Sequence, residues 1–183
     1  MKSFLMTAFA VILFAGAAGC NQTNNATYEA EQLTLTQIRS TPGFSWFDGT
    51  VASYTPDAAT IAKIAAEYQA KKQKVYLYVN PSCSCTGTKM RFPQTVRILL
   101  DAGVKEQDII VVSMHNESDK QPFPDRFAVR GLPSFFITKS DAPIYAIQTI
   151  GTEKVLIANQ PNQPDKPVEA QLMEEILLEG FKL

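Results

Sequence analysis

Residues 75–93, VYLYVNPSCSCTGTKMRFP, carry the chain from an apolar β-rich run into a helix-like pattern through a turn holding two cysteines one residue apart. Val75 to Val79 is short and β-rich, with helical patterns on either side, which is the setting of a central strand. Cys83 and Cys85 follow where the strand gives way to a helix. There the unpaired backbone N–H groups and the positive end of the helix favour thiolate over thiol. A thiolate attacks disulfides, and a second thiol close by resolves the mixed disulfide that forms. A bridge between these two cysteines needs Cα atoms about 4.4–6.8 Å apart and converging side chains. It would close a ring too small to restrain much unfolded-chain entropy. The spacing therefore predicts an easily reduced couple in place of a structural staple. Inert burial fits poorly with the polar Ser82, Ser84 and Thr86 around the sulfurs.

A metal site is the competing reading. Thiolates suit Cu(I) or zinc. His115, the single histidine of the chain, follows the apolar run Ile109 to Val112, which would lie parallel to Val75–Val79 and end at the same sheet edge. Cys83, Cys85 and His115 are thus an alternative ligand set for copper, with Met90 or Met114 as a further soft donor.

Upstream, Thr55-Pro56-Asp57 predicts a helix opening, with Thr55 as the cap, and Ala58, Ile61, Ala65 and Tyr68 recur at helical spacing, so a helix is expected over 56–73. Residues 31–40, EQLTLTQIRS, alternate loosely and predict an edge strand. The turn-prone PGFSWFDG that follows brings Phe44, Trp46 and Phe47, expected to cover a core edge. Downstream, a helix over 88–102 is interrupted at Pro93 and stopped by Gly103. PDRFAV predicts a helical turn or two, and strands at Phe135–Thr138 and Ile144–Ile150 flank a turn over 140–143. A short strand is expected at Val155–Ala158 and a closing helix over about 168–179, presenting Leu172, Met173, Ile176 and Leu177 to the body. The pattern is α/β: a mixed sheet flanked by helices on both faces.

The first nineteen residues hold one charge, Lys2, then an apolar run and small residues ending at Gly19. This predicts a secretory signal peptide over 1–19. Its closing AAGC resembles the bacterial lipoprotein lipobox, with Ala17 where a leucine is usual, which makes Cys20 the expected acylated residue and the lipid bilayer a partner. Residues 20–30 are expected to be a flexible tether and 31–183 the domain. Without Lys2, the 17 basic and 18 acidic residues become 16 and 18, a formal charge of −2. No basic patch argues for nucleic acid. With Cys20 assigned to lipid, two thiols remain in a compartment that permits their oxidation.

Two further stretches carry a family resemblance over roughly residues 56–180. Lys89-Met90-Arg91-Phe92-Pro93 resembles the start of the kinked active-site helix of the thioredoxin-like superfamily, and Val129-Arg130-Gly131-Leu132-Pro133-Ser134-Phe135 is similar to its cis-proline loop. The resemblance implies a thioredoxin-like fold and thiol–disulfide exchange with protein thiols or disulfides, reset by a further redox partner. No cofactor is expected outside the copper alternative, and the chain is expected to be monomeric. It implies a cis bond at Pro133 and a backbone at Leu132 that pairs with an extended client. The cysteine motif departs from C-x-x-C. Counted from the strand, Cys83 is the nucleophile and Thr86 holds the resolving position. Counted back from Lys89-Met90, Cys85 is the nucleophile and Thr88 holds it. The pair reading gives Cys83 the attack and Cys85 the resolving role. Neither Glu67 nor Asp57 has a spacing that identifies it as the superfamily's buried acid. A non-catalytic thioredoxin-like binding module is the third reading.

Overall fold

The computed structural model describes residues 28–150, 152–156, 166–167 and 172–183. The expected signal peptide, Cys20 and the tether up to residue 27 lie outside them.

Among the described residues seven strands form one mixed sheet, in the spatial order β1-β3-β2-β4-β5-β6-β7. β2 (Lys74–Val79) is an interior strand, parallel to β3 (Ile109–Ser113) and antiparallel to β4 (Ser134–Lys139). β5 (Ala142–Ile150) returns from β4, and β6 (Thr152–Leu156) and β7 (Lys166–Pro167) extend that side. The turn between β4 and β5 is Ser140–Asp141, both left-handed at φ 50° and 64°. That geometry matches the twist of a two-residue hairpin, so β5 starts two residues before the expected Ile144.

At the other edge, only Glu31–Leu33 is a strand (β1), antiparallel to β3. The rest of the expected edge strand is helix α1, Leu35–Ser40. Thr34 and Gln37 form a reciprocal capping box that starts a helix where the loose alternation suggested strand. A 3₁₀ turn, Pro42–Phe44, and helix α2, Phe47–Ser53, occupy the stretch expected to be turns. Phe44 and Phe47 are buried and meet Phe92 at ring distances of 6.0 and 5.2 Å, the packing role expected of them.

Helix α3, Ala58–Lys71, is capped by Asp57, whose Oδ2 accepts from Thr60 N at 2.7 Å; Thr55 is not the cap. With Asp57 as the cap, Pro56 falls outside the helix, and Asp57 N–H donates to Glu174 across the fold. Helix α4, Phe92–Asp101, is not broken at Pro93, which sits in its first turn. The irregularity falls earlier, as a π turn over Gly87–Arg91. Pro93 has no N–H for the carbonyl four residues back, and a wider turn accommodates its ring. Gly103, at φ 73°, ends the helix: its N–H meets Leu100 O and Val104 N–H meets Leu99 O, a Schellman closure. Helix α5 is Met173–Lys182, three residues longer at its end than expected. Leu172 is its extended N-cap residue and is exposed, so it does not face the body.

Alternation along the strands divides the core. Val75, Leu77, Val79, Ile109, Val111, Phe135 and Ile137 join buried side chains of the five α-helices among the described residues on one face. Tyr76, Tyr78, Ile110, Val112, Met114 and Phe136 form the other face. There the cover is the segment between β3 and β4, which lays Phe123, Phe127, Val129 and Leu132 on the sheet. PDRFAV supplies a single turn, with Phe127 N–H on Phe123 O, that seats the Phe127 ring 4.5 Å from Tyr76 and 4.9 Å from Phe136. The described residues form an α/β mixed sheet with thioredoxin-like topology, its helices gathered on one face and the segment between β3 and β4 laid on the other.

Candidate functional site

Parallel β2 and β3 end together, since Val79 pairs with Ser113, and β4 begins at that end, since Ser134 pairs with Tyr78. Three loops therefore meet one sheet edge: 80–86 after β2, 114–120 after β3, and 129–133 before β4.

In the first loop Asn80 organises the chain. Its Oδ1 accepts from Ser82 N at 2.8 Å and its backbone carbonyl accepts from Cys83 N at 3.2 Å, an Asx turn of the kind Asn-Pro-Ser favours. Its Nδ2 donates across to His115 O at 2.6 Å, tying this loop to the next. Cys83 and Cys85 are joined by a disulfide, with Cα atoms 5.3 Å apart. Both are partly exposed, between the exposed Ser82, Ser84 and Thr86. Cys85 N–H points at Cys83 Sγ at 3.2 Å, and Cys85 O accepts from Lys89 N at 3.0 Å in the turn that opens the helix. Thr88, three residues on and fully buried, holds its hydroxyl 3.3 Å from Cys85 Sγ. A disulfide sulfur has no proton to give, so the hydroxyl is the donor. Of the two candidate hydroxyls, Thr88 is thus beside a sulfur and Thr86 is solvent-facing. The Pro42–Phe44 turn backs this loop: a Cβ on Gly43 would lie 2.9 Å from Pro81 Cβ.

The second loop is fastened by Asp119, whose side chain is buried. Its carboxylate accepts from His115 N at 2.6 Å, Asn116 N at 3.3 Å and Tyr28 N at 3.3 Å. Burial pushes the Asp119 carboxyl up, but these three N–H donors outweigh it and hold the group below the ordinary aspartate range. Tyr28–Ala30 are seated here too, through Lys120 N on Tyr28 O and Ala30 N on Lys120 O.

His115 is at the expected edge but is engaged elsewhere. Its ring lies 4.5 Å from that of Tyr28, and Nδ1 is 3.7 Å from Asp119 Oδ2. Met114 is buried in the second core face and Met90 is exposed. Among the described residues no group of three or more His, Cys, Asp or Glu side chains is placed to hold a metal ion. The alternative copper set Cys83, Cys85 and His115 is therefore not assembled, because the loop fold turns the imidazole toward Tyr28 and Asp119.

In the third loop the Leu132–Pro133 bond is cis. Pro133 is buried, and Leu132 packs partly against the second face. Gln148 braces the approach, accepting from Arg130 N at 3.3 Å and donating to Ala128 O at 2.9 Å. The acids considered earlier lie elsewhere: Glu67 pairs with Lys71 at 2.9 Å and Asp57 caps α3. Glu174 is the buried carboxylate of the helix-covered face, held by the Tyr54 hydroxyl and by Asp57 N.

The sequence reading missed Asn80, Asp119 and the Gly43–Pro81 contact. Only Asn80 had a local signal, the Asn-Pro-Ser turn. Compared with protein-family models, curated proteins and solved structures, the chain has no match in any of the three. The disulfide and the fold therefore carry the functional reading. No helix among the described residues is long and apolar enough to cross a membrane.

Proposed function

We propose that the chain is an extracytoplasmic thiol–disulfide oxidoreductase, anchored to a bacterial membrane by lipid on Cys20, that works through the Cys83–Cys85 pair. The observation that carries this reading is the partly exposed disulfide at a strand–helix junction of a thioredoxin-like fold. Two sulfurs separated by one residue are a pair whose bridge a client thiolate can reach and whose opening disturbs little else of the fold. In the exchange, a client dithiol gives two electrons and two protons to the disulfide and leaves as a disulfide; the reverse reaction reduces a client. A further thiol or disulfide partner resets the pair. Leu132 and Pro133, at the same sheet edge, border the client path in this reading. The AAGC junction supports export and acylation.

The test is kinetic. Oxidised protein is mixed with an unfolded peptide bearing two thiols, and both partners are trapped by alkylation and weighed. Disulfide in the peptide, matched by two new thiols at Cys83 and Cys85, is expected. A peptide that stays reduced beside an intact Cys83–Cys85 bridge, together with no transfer from the reduced protein to an oxidised peptide, would refute the reading in favour of a binding module. Metabolic labelling with palmitate, lost in Cys20→Ala, tests the anchor.

A further inference from the structure

Building on the thiol–disulfide reading, we propose that Thr88 is the donor that stabilises the Cys85 thiolate, which makes Cys85 the leaving sulfur and Cys83 the sulfur that carries the client. Three observations lead there. The Thr88 side chain is fully buried, and Cys85 Sγ, 3.3 Å away, is its hydrogen-bond partner among the described residues. A buried hydroxyl ordinarily has a partner, and here that partner is a reactive atom. Next, the contact is fixed by helix geometry: residues three apart share a face, and Lys89 N–H on Cys85 O at 3.0 Å holds that turn. Finally, the two sulfurs are served unequally. Cys83 Sγ faces the N–H of Cys85, a donor inside the disulfide ring, free to shift when the ring opens. Thr88 lies outside the ring, on the buried side of the helix start, and remains in place after reduction.

The step follows from this asymmetry. A client thiolate attacks Cys83 Sγ and forms a bond to it. The Cys83–Cys85 bond breaks, and its electron pair stays on Cys85 Sγ, where the Thr88 O–H meets the new charge. The client's second thiol, having lost its proton to solvent, attacks the client sulfur of the mixed disulfide. The client disulfide departs, and Cys83 and Cys85 each end with one added electron and one proton. A leaving thiolate of lower pKa departs faster, so the hydroxyl favours attack at Cys83 over attack at Cys85. Thr88 is a positioning and charge-stabilising residue; it does not touch the client.

The experiment uses single-thiol variants and follows the pH dependence of alkylation by iodoacetamide. In Cys83→Ser, adding Thr88→Val is expected to raise the Cys85 midpoint by about one pH unit, a roughly tenfold loss of thiolate below it. Thr88→Ser should restore the midpoint. In Cys85→Ser, the same Thr88→Val change should leave the Cys83 midpoint where it was. With oxidised glutathione, Cys85→Ser should accumulate more mixed disulfide than Cys83→Ser. An unmoved Cys85 midpoint, equal shifts at both cysteines, or no restoration by Thr88→Ser would overturn the proposal. The unmodified pair, cycled with glutathione in parallel, separates the two levels. If it cycles while Thr88→Val moves nothing, only the role of Thr88 falls. If it does not cycle at all, the oxidoreductase reading falls with it.

Discussion

The loops after β2 and β3 leave adjacent parallel strands at the same edge, yet they are built in opposite ways. The β3 loop is gathered onto a buried carboxylate, Asp119, with three backbone N–H donors from His115, Asn116 and Tyr28. The β2 loop has a short Asx turn and then two sulfurs, partly exposed, with one hydroxyl and one amide beside them. One loop invests its polar groups in holding shape, and the other leaves its reactive atoms reachable. Asn80 Nδ2 donates to His115 O and connects them. The difference teaches that, in the proposed reading, the exchanging sulfurs belong to the β2 loop and His115 to the scaffold beside it.

The largest expected effect breaks the contrast outright. Cys83→Ser should abolish exchange with a dithiol peptide, while denaturant unfolding under reducing conditions stays within about 1 kcal/mol of the reduced parent protein, as for other substitutions at partly exposed sites. Loss of exchange accompanied by global unfolding would deny that the loop is separable from the fold.

Asp119→Ala should have the converse effect. It strands three N–H groups around a buried site, so a loss of roughly 2–4 kcal/mol in denaturant unfolding is expected, with Cys83–Cys85 exchange retained under native conditions. An unchanged midpoint would show that the β3 loop does not depend on its carboxylate.

Gly43→Ala sharpens the comparison from behind the disulfide loop. The new methyl would meet the Pro81 ring, which is not a flexible side-chain end. A cost of about 1–3 kcal/mol is expected, together with an altered alkylation rate at Cys83; neither would change if the turn and the loop were independent.

The smallest effect is in pH dependence. The Asp119 carboxyl is held below its ordinary value in the folded chain, so its contribution is fully present above about pH 4, the unfolded value. It is lost as pH falls through the lower folded value. Asp119→Asn should flatten that acid limb of the stability curve while leaving the slope above pH 5 unchanged. An unaltered acid limb would contradict the role given to the carboxylate.

Much of the fold was legible because its signals are local. Val75–Val79 and Ile109–Val112 declared themselves as buried strands by composition, and Gly103 ended its helix as a left-handed residue should. The two-residue turn at Ser140–Asp141 left only its boundary to be corrected. Elsewhere a competing local rule prevailed: Thr34 and Gln37 spelled a capping box inside a stretch whose alternation suggested strand, and the box decided it. The site was legible to the extent that cysteines are distinctive. Asp119 was not, because one of its partners, Tyr28, is 91 residues away in sequence, and no periodicity announces such a contact. His115 misled for a related reason: parallel strands place a residue at an edge, but the direction of its ring depends on neighbours brought from far along the chain.

The most direct measurement of the central claim is equilibration of the intact protein across a series of glutathione buffers, with the thiols trapped and counted by mass. The account predicts one two-electron transition in which Cys83 and Cys85 change state together, absent from Cys83→Ser. Sulfurs that stay bonded, or stay reduced, through the whole series would contradict it.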